Sequence, residues 1–534
     1  MQCPICQHNF GKLLHHFNDS FDFPLYEILQ RKISDWTPHR GVCQRCADQA
    51  QIEAWAAFKG SSIGHQVNGY TILPLPTRLM AHPHYTGKNI TIGFIDSGFC
   101  MHPDLADRVV ATVNIPDTKI EAITSTLSPS DWHGTMTSVV GAGDGTLSNG
   151  IYKSLAPQAH IVLLKVADKK GIISGEYIAK AVHWAIQHQQ QYSIRILNLS
   201  VTDDEATSYR ENMVDRAIEQ AVQAGIVVVA AAGNDTQAQL KAPANSPHAI
   251  TVGGLDDHNT LHPLAHTLYH STAGETVDGT YKPELIAPAI WIPAPILSGT
   301  KVQREAALLF ELLQTQDDRY LQAKLGNVIH QLNMDKKIAT ASVTVIRQFL
   351  NKEIGQRKLI SPYYQHADGT SFAAPIVSSL VAQMLEANPA LTPAAIRAIL
   401  IRTARRLPQV PSTRQGFGVV HPLSAVCQAA SESHLLPAFF TPIIDYQQRV
   451  VTFYLHDHGA ETVVATGDFN NWNPENIELQ TERTGHWKVQ YPMPPKGNYR
   501  YKLLVNRQKW MPDPTNLFRE TDGFGGFHSK LIIE

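Results

Sequence analysis

An α/β fold, in which a parallel sheet is covered by helices on both faces, is predicted by three observations on the 534-residue sequence. Short apolar runs recur at 90–95, 161–166, 194–201, 226–232 and 249–252, as strands buried on both faces do. Helical periodicity fills gaps between them, at 176–188 and at 210–225, where Met213, Ala217, Ala221 and Val222 share one face and Gly225 stops the helix. Composition then changes at both ends, from paired cysteines before residue 60 to alternating strand runs after residue 436. The expected architecture is therefore a central sheet domain over 70–430, a small cysteine module over 1–60 and a C-terminal β-sandwich over 436–534.

Composition bounds the function. A chain of this length holds about two to four domains. Its 45 basic and 47 acidic residues give a net charge of −2, with no basic field for nucleic acid. The opening Met1-Gln2-Cys3-Pro4-Ile5-Cys6 lacks a basic stretch followed by an apolar core, and no later run is long and apolar enough to cross a bilayer. The reading is a cytoplasmic protein without nucleic-acid or membrane partners.

In chain order, the first elements are Cys3-Pro4-Ile5-Cys6 and Cys43-Gln44-Arg45-Cys46, which hold four of the six cysteines. Two such knuckles supply four thiolates to one tetrahedral zinc, and a segment with so little core needs that staple. A redox pair or free thiols are the alternatives, and Cys100 and Cys427 stand singly, as in a reducing compartment. A helix is expected near 25–33, and a linking helix with a loop over 47–70.

In a parallel sheet the site lies beyond the carboxyl ends of the strands. Asp96 ends the first long run, His133 opens His133-Gly134-Thr135-Met136-Thr137-Ser138, and Ser371 begins a helix within Gly369-Thr370-Ser371-Phe372-Ala373-Ala374-Pro375. At a helix N-terminus, free N–H groups favour developing negative charge, which suits a nucleophile. A serine needs a base, and the base needs a carboxylate to fix its tautomer. Asn234 ends the run Val228-Val229-Ala230-Ala231-Ala232-Gly233-Asn234, where its amide can donate to an oxyanion. Pro375 lies near the start of its helix, where a missing N–H removes little. Taken alone, Gly-Thr-Ser reads as an ordinary capped core helix.

These segments together resemble the subtilisin-like serine proteases in the order Asp, His, Ser. The matching stretches are Ile95-Asp96-Ser97-Gly98, His102-Pro103-Asp104-Leu105, His133-Gly134-Thr135, Asn198-Leu199-Ser200, Ala231-Ala232-Gly233-Asn234 and Gly369 to Pro375. The resemblance implies a serine endopeptidase that hydrolyses protein or peptide substrates through an acyl-enzyme. It assigns Asp96 as orienter, His133 as base and acid, Ser371 as nucleophile and Asn234 as oxyanion donor. It also implies substrate contacts at Ser200 and Gly233. Lys241 falls at the position that commonly lines the base of the primary specificity pocket, where an ammonium favours an acidic side chain. A solvent-facing loop lysine is the alternative.

The chain departs from the family pattern in four places. Met136 stands where a second histidine is common, and Val201-Thr202-Asp203 replaces glycines that let substrate approach. No inhibitory pro-segment is recognised ahead of the catalytic region. An insertion over 298–366 precedes the nucleophile and reads as two helices, 303–332 and 338–354; a lid, an exosite and a surface ornament all fit it. Family members often bind calcium near the second of the matching stretches, and Asp104 with the loop 144–150 offers oxygen ligands, although such loops are also ordinary turns.

Beyond residue 436, alternating runs at 450–455, 462–465, 486–491, 499–505 and 530–533 predict the β-sandwich. Gly467-Asp468-Phe469-Asn470-Asn471-Trp472 and Trp510-Met511-Pro512-Asp513-Pro514 resemble glycogen-binding domains of the isoamylase N-terminal type. The resemblance implies stacking of Trp472 and Trp510 on α-glucan rings, with Lys502 assisting. His528 stands where the family has asparagine, and a purely structural sandwich with Trp472 in its core is an equal reading. Two classes of function thus remain open: an endopeptidase, and a catalytically silent scaffold that binds α-glucan or protein.

Overall fold

The structure, a computed structural model, describes residues 1–9, 13, 29–37, 40–43, 46, 49–50, 65–67, 70–117, 119–120, 130–432, 440–457, 459–483 and 485–534. The expected linking helix over 47–70 lies almost wholly outside the described residues, as does the first part of the helix near 25–33.

The central domain is built on a nine-stranded sheet. Its long strands are β1 (Thr91–Asp96), β2 (Val109–Asn114), β3 (His160–Lys165), β4 (Ile194–Leu199), β5 (Val227–Ala231), β6 (Ile250–Asp256) and β7 (Leu285–Pro288). The order across the sheet is β6, β5, β4, β1, β3, β2, all parallel, with β7 parallel beside β6. Two-residue antiparallel strands, Lys119–Ile120 and Thr267–Leu268, extend its edges.

Side chains alternate across each strand, so β1 feeds both layers. Ile92 and Phe94 pack with the helices α1 (Asp131–Ala142) and, later in the chain, α7 (Thr370–Ala387). Ile95 faces α2 (Gly175–Gln187) and α3 (Met213–Gln223) on the other side. Ser174 accepts from the Tyr177 N–H and Asn212 from the Val214 N–H as N-caps, and the Asn212 cap starts α3 at Met213, three residues after the expected 210. Because α7 lies between the sheet and other helices, it is buried on all sides from Phe372 to Leu385.

The insertion departs from two helices. It forms α4 (Lys301–Gln314), α5 (Asp318–Val328) and α6 (Val343–Gln356), because Asp317 caps a new helix through the Tyr320 N–H and so breaks the first expected run. Its apolar faces close a core of their own with Ile72, Tyr152, Ile296 and Tyr364. The strands β8 (Ile292–Pro295) and β9 (Tyr364–Ala367) pair antiparallel, so the insertion springs from a hairpin that leads straight into α7.

The C-terminal domain is a sandwich of a four-stranded and a five-stranded antiparallel sheet around Phe453, Ala465, Trp487, Tyr501, Leu503 and Leu531. The short strands Ile443–Asp445, Gln480–Arg483, Lys509–Met511 and Arg519–Thr521 complete the two sheets and were not among the sequence-predicted runs.

Candidate active site

Asp96, the last residue of β1, is fully buried, and its carboxylate is divided between two tasks. Oδ1 accepts from the Ser97 N–H (2.7 Å) and lies 2.7 Å from His133 Nδ1. Oδ2 accepts from Thr137 Oγ1 at 2.8 Å. Thr137 follows His133 by one helical turn, so α1 presents both groups to the same carboxylate. This approach requires a glycine at 134, where a Cβ would lie 2.2 Å from the Gly98 carbonyl oxygen. Burial opposes charge on His133, but the Asp96 charge and hydrogen bond outweigh it and hold the imidazole pKa above its ordinary value.

Ser371 is the second residue of α7. Its carbonyl would normally accept from the N–H of residue 375, which is Pro375 and has none. Ser200 Oγ donates to that carbonyl instead, at 2.9 Å, while Asn198 Nδ2 donates to Ser200 Oγ at 3.0 Å. The proline therefore ties the start of α7 to the loop after β4. Sequence reasoning treated Pro375 as neutral and so missed this link; the i−4 offset to Ser371 was the available signal. The Ser371 hydroxyl makes no hydrogen bond among the described residues. Phe372, next in the helix, has its ring 6.1 Å from that of His133. Such looseness between nucleophile and base is common without substrate.

Asn234 is exposed at the end of β5. Its Oδ1 accepts from the Thr370 N–H (2.8 Å) and Thr370 Oγ1 (3.1 Å), an arrangement that leaves Nδ2 without a partner among the described residues. Gly233 N–H donates to the same Thr370 hydroxyl at 3.0 Å. Its φ is +103° and a Cβ would lie 2.8 Å from Thr272 Oγ1, so only glycine fits. Thr370 thus locks the loop of Gly233 and Asn234 onto the first turn of α7. Lys241 is half-buried, and its Nζ donates to the Asp204 carbonyl at 2.6 Å, in the loop that continues from Ser200. Trp132, half-exposed, stands edge-on to His133 at 5.3 Å between centroids.

At the place suggested for calcium, most of the carboxylate oxygens have partners within the protein. Asp104 is fully buried; its Oδ1 accepts from the Leu147 N–H at 3.0 Å and its Oδ2 from the Tyr364 hydroxyl. Asp144 Oδ1 accepts from Thr146 N and Oγ1. The Arg108 guanidinium stands 3.7 Å from Asp144 and donates to the Asp104 carbonyl, supplying the positive charge itself. Calcium needs six or more oxygen ligands, and an ion here would have to displace these contacts.

At the N-terminus, Cys3, Cys6, Cys43 and Cys46 bring their sulfurs within 4.8 Å of one another and can hold a metal ion. The Cys6 to Cys43 separation is 3.8 Å. That matches the edge of about 3.8 Å for a tetrahedron with metal–sulfur bonds of about 2.3 Å.

On the sandwich, Trp510 is 48% exposed and Trp472 partly buried, with ring centroids 6.4 Å apart. Trp472 lies outside the sandwich core; it has positive φ, uncommon for a bulky residue, and its Nε1 donates to Asp468. His528 packs 5.2 Å from Trp472. Lys502 Nζ is paired with Asp522 at 2.6 Å. Phe524, 95% exposed in the loop that Asp522 begins, was not singled out from the sequence, because nothing in a glycine-rich turn distinguishes an outward ring from an inward one.

With this geometry in place, comparison with known proteins defines the class. Residues 87–418 match the subtilase family, and the chain belongs to that family. Residues 442–516 match carbohydrate-binding module 48, the isoamylase N-terminal domain. Serine protease AprX of Bacillus subtilis (strain 168) is 30% identical over 325 residues, covering 59% of this chain and 61% of AprX. Subtilisin E of the same organism is 30% identical over 224 residues, covering 40% of this chain and 51% of its own. Among solved structures, fervidolysin from Fervidobacterium pennivorans, described as a keratinolytic enzyme related to subtilisin, overlays with a TM-score of 0.48 at 20% identity, covering 80% of this chain and 55% of its own. The chain thus spans 51–61% of the length of the two Bacillus relatives.

Proposed function

We propose that the protein is a serine endopeptidase acting through Asp96, His133 and Ser371. The observation that carries this reading is the 2.7 Å contact between Asp96 and His133 at the carboxyl end of β1, with the first turn of α7 approaching through Phe372, whose ring is 6.1 Å from that of His133. His133 takes the Ser371 proton as Oγ attacks the scissile carbonyl, and Asp96 stabilises the resulting imidazolium. Asn234 Nδ2, oriented by Thr370, and the Ser371 N–H receive the oxyanion. His133 then protonates the leaving amine, and water hydrolyses the acyl-enzyme by the reverse sequence. Labelling with a fluorophosphonate tests this: mass spectrometry should place one adduct on Ser371, and an unlabelled protein, or label on the Ser371→Ala variant, would reject it.

Substrate contacts fall to Gly233, to the backbone of Ser200, whose hydroxyl is engaged elsewhere, and to Lys241. Lys241 turned from the Asp204 carbonyl would favour an acidic side chain before the cleaved bond. Unit charges at about 4 Å attract by about 4 kcal/mol at an effective dielectric of 20. A third of that gives about tenfold preference. A randomised peptide library showing no enrichment of Glu or Asp there would exclude this role.

The four N-terminal cysteines are assigned to structural zinc, and the sandwich to α-glucan binding through Trp472 and Trp510. Lys502 is the assisting residue there, once released from Asp522. Cysteines that form no disulfide among the described residues suit a reducing compartment, supporting a cytoplasmic location. Equal retention of wild-type and Trp510→Ala protein on amylose would remove the glucan assignment.

A further inference from the structure

We propose that this protease acts on polypeptides carried by an α-glucan, which the sandwich holds at a fixed place beside the cleft. The inference rests on both the endopeptidase and the glucan readings, and adds that the two sites work on one composite substrate.

The sandwich is docked, not tethered. Arg519 is 3% exposed and reaches into the protease domain. There Nη1 meets Glu284 Oε1 at 3.2 Å and Nη2 donates to the Pro283 carbonyl at 3.0 Å. Its guanidinium lies 5.0 Å from the ring centroids of Phe417, on the protease side, and Phe527, on the sandwich side. Phe518 packs on Tyr209 at 5.9 Å, Lys530 donates to the Gly279 carbonyl, and Arg402 donates to the His456 carbonyl. Charges buried to this degree require fixed partners, so the glucan face keeps one orientation to the cleft.

The aromatic face is open, as a binding surface should be, and it runs into the protease through one loop. Asp522 holds Lys502 with one oxygen and accepts the Phe524 and Gly526 N–H groups with the other. The Gly526 carbonyl faces Ser412 Oγ at 3.5 Å. Two residues later Arg414 donates to the Ser271 carbonyl. The adjoining Thr272 is bonded to Gly233 and Asp235, on either side of Asn234. Arg414 also lines a surface pocket of about 410 Å³ with Tyr269, His270 and Asp368, and Asp368 lies three residues before Ser371. A chain of contacts through the buried Ser412, Ser271 and Thr272 therefore joins the sandwich loop to the loop of Gly233 and Asn234.

Holding a glucan on a sandwich docked in this way raises the local concentration of any attached polypeptide at the protease domain. Effective concentrations in tethered systems reach the millimolar range. Such binding acts equally on bound substrate and transition state, so it lowers KM and leaves kcat alone.

The test uses the full chain and one fluorogenic peptide in three forms: free, joined by a flexible spacer to maltoheptaose, and joined to an α-1,6-linked oligosaccharide of similar size. The maltoheptaose form should show KM lower by about tenfold or more at equal kcat, and free maltoheptaose should abolish the difference. Trp510→Ala and Phe524→Ala should shrink the ratio of conjugated to free peptide, each compared with its own free-peptide value. Equal KM for all three forms in a protein that amylose retains would overturn the inference while leaving glucan binding intact. A protein that amylose does not retain loses the glucan reading and the inference together, and one that cleaves no peptide loses the protease reading.

Discussion

Replacing Glu284 by glutamine should be among the most destabilising single changes far from the cleft. Glu284 Oε1 meets Lys282 Nζ (2.9 Å), Arg397 Nη2 (2.9 Å) and Arg519 Nη1 (3.2 Å), while Oε2 accepts the Thr251 N–H. These four side chains are at most 3% exposed, and Glu284 is the carboxylate they share. Glutamine keeps the shape and an acceptor for Thr251 but leaves three buried cations without their anion. Removing one partner of a buried pair costs about 3–5 kcal/mol, which corresponds to roughly 6–15 °C in melting temperature for a domain of a few hundred residues. The pH dependence identifies the cause. Burial pushes the Lys282 pKa down to about 7 even with Glu284 opposing that shift, and without Glu284 it falls further. The unfolded chain still binds a proton there up to the ordinary lysine value, so below about pH 7 the variant loses a further ~1.4 kcal/mol relative to wild type per pH unit. Thermal unfolding at about pH 6 and pH 8 should therefore show the larger deficit at the lower pH. A melting temperature within a degree or two of wild type, or a deficit independent of pH, would refute this account of the hub.

Three further outcomes follow from the sites. Because Asp96 holds the His133 pKa above its ordinary value and the base acts when neutral, kcat/KM should rise with pH through an acid limb above that value. Asp96→Asn should shift the limb down and reduce kcat by about 10⁴. Elemental analysis should find one zinc per chain, and chelation should expose residues 1–60 to proteolysis while the triad domain stays intact; four freely titrating thiols without zinc would contradict it. Tyr364→Phe should cost about 1–3 kcal/mol by orphaning a buried oxygen of Asp104, and millimolar calcium should restore none of the lost melting temperature.

The parallel strands were legible because a strand buried on both faces is apolar throughout, as Ile92 to Ile95 and Val227 to Ala230 are. The two-residue edge strands carry no such pattern. Asp96, His133, Asn234 and Ser371 could be picked out because each stands at the end of an apolar run or the start of a helix. What the sequence withheld is non-local. Glu284 and Arg519 are 235 residues apart, and Tyr364 meets Asp104 across 260. Nor could composition show that Arg108 supplies the positive charge between Asp104 and Asp144. The break at Asp317 was legible in principle, since Asp two residues after Thr315 is a helix-start signal, but the continuing apolar period of Leu321 and Leu325 masked it.

The central claim, hydrolysis by Ser371 within a triad, is tested most directly by comparing peptide cleavage by wild-type and Ser371→Ala protein at matched folded concentration. The account predicts a fall in kcat of about 10⁶, the scale of the corresponding change in subtilisin. Wild-type hydrolysis by the alanine variant would contradict it.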